Sequence, residues 1–121
     1  MALGGRMFRS NISTMSDSDL YGHTVVRLES ITKMPKAKEA IRLLKLMEHR
    51  PILDADLAIA GKKCLNSLKA ALAPETSSDY WYDSLVGNNG DLQPRDLNNI
   101  ANLVEERRAQ IQFINAVLSR L

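Results

Sequence analysis

The sequence predicts an all-α fold: a small bundle of four to five helices with a long C-terminal helix. Three observations carry this. Pro35, Pro51, Pro74 and Pro94 cut the chain into segments, and a proline closes a helix or sits in its first turn. Within the segments, apolar residues recur every three or four positions, the period of a helix with one buried face. After Pro94 a heptad pattern reaches Leu121 without a Gly or Pro to break it.

The first predicted helix covers residues 17–33, with Asp17 or Ser18 as its cap. Tyr21, Val25, Leu28 and Thr32 step at helical spacing, although Thr24, Val25 and Val26 form a β-branched run that weakens the preference. The second covers residues 36–49. Ala37, Ala40, Ile41, Leu44 and Met47 share one face, and Lys36, Arg42 and Lys45 lie off it. The third covers residues 53–73, capped by Asp54, with Leu57, Cys64, Leu68 and Leu72 on its stripe. Gly61 interrupts that stripe at a cost of about 1 kcal/mol relative to Ala, which suggests a neighbour that comes close.

Residues 75–93 are looser. Ser77 or Ser78 caps a short helix through Tyr80, Trp81, Tyr82, Leu85 and Val86, ending at Gly87. A turn follows at Asn88, Asn89, Gly90 and Asp91. The last helix spans residues 95–121. Leu97, Val104, Ile111 and Leu118 form one heptad register, and Ile100, Arg107, Ile114 and Leu121 the other. Leu103, Phe113 and Val117 flank them. A stripe so wide implies more than one packing neighbour.

Composition bounds the function. At 121 residues, 45% apolar and 25% charged, the chain has the make-up of an ordinary globular domain. Residues 17–121 read as one helical domain. Residues 1–16 read as a flexible tail with Arg6, Arg9 and no acid, a composition that also suits a mitochondrial presequence. Cys64 is the one cysteine, so no internal disulfide forms, and an intracellular setting, cytoplasmic or nuclear, is expected. The alternative is the mitochondrial matrix, if residues 1–16 act as a presequence. No apolar run approaches the ~20 residues that span a bilayer.

Catalytic constellations are missing. There is no GxSxG, phosphate-binding loop, HExxH or CxxC. Cys64 falls on an apolar stripe and reads as a buried small hydrophobe. His23 and His49 have no ligand partners at useful spacing, and Asp79, Asp83 and Asp91 lack the dense oxygen spacing of a calcium loop. The expectation is no enzyme, no cofactor, no metal and no small-molecule substrate.

Two features point to binding. The first is charge. Residues 27–69 hold ten Lys or Arg against five Asp or Glu, whereas residues 70–121 hold four against seven. Lys36, Arg42, Lys45, Lys62, Lys63 and Lys69 are candidates for an RNA or DNA backbone, but no aromatics interleave them for base stacking. The second is the trio Tyr80, Trp81 and Tyr82, which cannot all face one core. Tyr and Trp are enriched at interaction hot spots.

The leading expectation is therefore a protein-interaction or assembly module. Its interface would be formed by Tyr80, Trp81, Tyr82, Arg107, Ile111, Ile114, Leu118 and Leu121. The end of the last helix would project, and a partner or a second copy in a homodimer would cover it and bring an acid to Arg107. The runner-up is nucleic-acid binding by the basic central helices.

A local likeness accompanies this reading. The run from Ala40, Ile41, Arg42, Leu43 and Leu44 to Gly61, Lys62, Lys63, Cys64 and Leu68 resembles the helical N-terminal domains of transcription elongation factors. It covers residues 40–68. The resemblance implies a helical docking module and a following basic helix with a Trp, and here an acidic aromatic stretch stands in its place.

Overall fold

The computed structural model describes residues 12–50, 53–89 and 94–121. The fold is all-α. After a helical turn at residues 12–14, five α-helices follow one another among the described residues: α1 (Asp17–Leu28), α2 (Ala37–Glu48), α3 (Ala55–Leu72), α4 (Ser78–Asn89) and α5 (Pro94–Leu118). Short 3-10 turns at Glu29–Ile31 and Ala73–Thr76 extend α1 and α3. No strand occurs among the described residues.

Helices α1, α2, α3 and α5 form a closed ring. Helix α1 packs on α2 and α5, and α3 packs on the same two from the other side. Each buries one stripe toward the shared centre. Leu20, Leu28, Leu44, Leu65, Leu68, Leu72, Ile114 and Val117 are fully buried there. Helix α4 stands outside the ring and packs chiefly on α5 and the 3-10 turn before it.

The β-branched run of α1 is accommodated because Thr24 donates its hydroxyl to the Leu20 carbonyl at 2.7 Å, so its polar atom is satisfied although Thr24 is fully buried. The helix begins at Asp17 as expected, but its cap lies one residue earlier. Ser16 is the cap, accepting from the Asp19 amide at 3.1 Å. Ser18 donates instead to the Glu48 carbonyl at the end of α2, at 3.1 Å. Residues 29–33 do not continue α1 as an α-helix; the chain tightens to 3-10 geometry and buries Ile31.

At the start of α2, Lys36 takes a left-handed conformation, φ 74°, which a non-glycine residue adopts at a cost. Pro35 before it gives no glycine signal, so the sequence does not announce this turn. Helix α3 is capped by Asp54 as expected, through the Asp56 amide at 2.9 Å. The close neighbour of Gly61 is the methyl end of Met47, with a Leu121 methyl also near. Helix α4 is capped by Ser77, which accepts from the Asp79 amide at 3.2 Å. It runs past Gly87 to Asn89; a single glycine weakens a helix without stopping it. The turn expected at residues 88–91 reaches into residues outside the description.

Two expectations about the ends are corrected. Residues 12–16 are not a tail. Ile12 belongs to the core, Met15 packs against it, and Arg120 donates to the Ile12 and Met15 carbonyls at 2.9 and 2.6 Å. Residues 1–11 lie outside the described part. The C-terminal end of α5 does not project either. Ile114 and Val117 are fully buried, and Leu118 and Leu121 lie against the same core. Neighbouring segments of its own chain cover them, so the apolar surplus inferred from the heptads is absorbed within one molecule.

Candidate docking surfaces

The expected interface residues separate into two groups. Around α4, Trp81 and Tyr82 are half-buried and Tyr80 is exposed. The Trp81 indole donates to the Glu75 carbonyl at 2.9 Å, and its ring lies under the Arg107 guanidinium, 5.6 Å from the centroid. Tyr80 meets the Trp81 ring edge-on at 5.0 Å. Trp81 therefore fastens α4 to the ring of helices, with Tyr80 on its outer side.

Arg107 has its acid within the chain. Its Nε donates to Glu75 Oε1 at 2.8 Å, and both side chains are only about one-seventh exposed. Its Nη1 donates to Gln110 Oε1 at 3.3 Å. Gln110 is fully buried and donates to the Arg27 carbonyl and the Ser30 hydroxyl at 2.9 and 3.1 Å. This polar chain crosses from the 3-10 turn through α5 to α1. No buried side-chain N or O lacks a partner among the described residues. The acid that a second chain was expected to bring is Glu75. Ile111, Ile114, Leu118 and Leu121 form the second group and face the core as described above.

A concave surface the sequence reading missed lies between α1 and α5. Met15, His23, Val26, Arg27, Ser30, Glu106 and Phe113 line a groove of about 520 Å³. Val26 is 65% exposed. Arg27 spans the groove edge, 3.5 Å from Glu106 and 5.4 Å above the Phe113 ring. At the α2 end the groove continues into a shallower hollow lined by Asp19, Gly22, His23, Val26 and Glu48. Val26 was legible only as part of a β-branched run; nothing in the spacing marked it as outward-facing.

The basic candidates are only partly gathered. Lys36 and Lys63 line a cleft of about 270 Å³ between α2 and α3, with Glu39, Ala60, Cys64 and Ser67. Lys36 pairs with Glu39 at 3.6 Å. Arg42 and Lys45 are exposed on α2. Lys62 and Lys69, seven residues apart on α3, leave that helix on the side away from the cleft. The six do not form one continuous row.

Cys64 is buried and donates to the Lys36 carbonyl at 3.4 Å. Burial pushes its thiol up to about 11, Glu39 adds to this, and Lys36 and Arg42 oppose it. The thiolate is the nucleophile, so at pH 8 the native protein should leave a disulfide reagent such as Ellman's largely unreacted, with rapid release after unfolding. Prompt stoichiometric reaction of the native protein would contradict this placement.

No group of His, Cys, Asp or Glu among the described residues is arranged to hold a metal ion. No helix among the described residues is long and apolar enough to cross a membrane. Comparison with known protein families, with curated proteins and with solved structures returned no match to this chain. The likeness of residues 40–68 to elongation-factor domains gains no support from them.

Proposed function

We propose that the chain is a non-catalytic helical docking module that binds another protein in the groove between α1 and α5. The observation that carries this is the exposed Val26 beside Met15 and Phe113 in a concave, largely apolar surface. An apolar groove between two helices is a common seat for an amphipathic helix. The C-terminal helix remains part of the interface, through Glu106 and Phe113 rather than through Ile111 and Leu118. Asp19 and Glu48 at one end favour a partner segment that places a Lys or Arg beside its apolar anchor.

The test is a photo-cross-linking amino acid at position 26, with the same group at the exposed Ser84 on α4, outside the groove, as control. Irradiation in the native cell should give a protein adduct from position 26 that survives nuclease and is weak from position 84. An adduct of twice the chain's mass, matched by a dimer in sedimentation, would identify a second copy as the partner. No adduct at position 26, or equal adducts from both positions, would sink the proposal.

A further inference from the structure

A second surface, independent of that groove, lies on the opposite pair of helices. Three arginines on or beside α1 and α5 are occupied by the fold: Arg27 pairs with Glu106, Arg107 with Glu75, and Arg120 with Asp17, whereas Arg108 on α5 is exposed. On α2 and α3 exposed cations gather without paired acids. Lys38, Arg42, Lys45 and Lys63 are exposed, and none forms a salt bridge among the described residues.

The same helices turn two large aliphatic side chains outward. Leu46 is 39% exposed and Ile59 65% exposed. Leu46 stands one helical turn after Arg42 on α2, and Ile59 one turn before Lys63 on α3, so each aliphatic group shares a face with a free cation. Arg42 and Leu46 lie toward α3: they stand three and seven residues after Glu39, which lines the cleft between the two helices. Lys63 lines the cleft between the two helices. Cations and aliphatic groups thus alternate across the α2–α3 surface.

We propose that this surface binds an acidic amphipathic polypeptide segment, whose carboxylates meet Arg42 and Lys63 while its apolar residues cover Leu46 and Ile59. Charge complementarity and the interleaved aliphatics together select this occupant. A phosphate backbone satisfies the cations but leaves Leu46 and Ile59 in water. Neither helix offers an aromatic face on which a base could stack, and Lys62 and Lys69 turn away from the row a nucleic-acid strand would follow. With this second site the protein would bridge two partners, one in each surface.

The experiment is a fluorescence-anisotropy titration of the full chain with three labelled probes at low salt. One is a short synthetic peptide with Glu and Asp on one helical face and Leu and Ile on the other. The second has every Leu and Ile replaced by Ser. The third is a single-stranded RNA of equal charge. The first probe should bind about tenfold more tightly than either of the others. The double variant Arg42→Glu, Lys63→Glu should lose about tenfold in affinity, which corresponds to about 1.4 kcal/mol. Leu46→Ser with Ile59→Ser should bring the first two probes to equal affinity, with circular dichroism unchanged. Tighter binding of the RNA would reassign the surface to nucleic acid. Equal binding of the two peptides by the unmodified protein would reduce it to a non-selective polyanion patch. No binding, or no effect of charge reversal, would overturn it outright.

Discussion

Replacing Glu75 by alanine should cost about 3 kcal/mol of folding stability, the low end of the range for breaking a buried ion pair. The Arg107 guanidinium loses a carboxylate at 2.8 Å and is left in a site about one-seventh open to water. Its remaining partners are the neutral Gln110 carbonyl oxygen at 3.3 Å and the Trp81 ring, and neither offsets an unpaired charge. The double variant Glu75→Ala, Arg107→Met should recover most of the loss, because the desolvation penalty leaves with the charge. Urea titration followed by the fluorescence of Trp81, the one tryptophan, reads both. A cost below about 1 kcal/mol for the single variant would mean that water screens the pair as it does at a surface.

Ile114→Ala should cost about 2–5 kcal/mol, whereas Leu97→Ala should cost less than about 1 kcal/mol. Ile114 is 0% exposed and Leu97 is 43% exposed, although both sit on the same heptad seam. The comparison separates two roles for α5. If its C-terminal half served chiefly as an interface between chains, Ile114→Ala would lower the association constant and leave the stability of the isolated chain nearly unchanged. Equal, small effects at both positions, measured on a dilute monomer, would overturn the placement of Ile114 in the core.

The sequence made the helices legible through devices that act locally. Prolines set the boundaries, Asp54 and Ser77 capped α3 and α4, and the apolar period marked the buried sides. What it did not reveal depends on contacts distant along the chain. Arg107 looked stranded because Glu75 lies in a 3-10 turn far upstream, in a stretch with little periodicity. Gln110 is a polar residue among apolar ones, and its burial rests on the Arg27 carbonyl and Ser30. Once Gln110, Phe113, Ile114 and Val117 face inward, α5 is rotated from the seam inferred from the heptads, and Leu97 turns outward. The α1–α5 groove was invisible for the same reason, since it exists only where two helices distant in sequence meet. Of the basic residues, spacing identified which were exposed but not which were free, because that depends on where the acids fold.

Arg120 reaches Ile12, Met15 and Asp17 together, with its Nη1 3.0 Å from the Asp17 carboxylate. One side chain thereby ties residues 12–17 to the segment that follows α5, so loosening of either is felt at the other. The place where the described fold first yields then shifts to α4, the helix packed chiefly on α5 and the preceding turn.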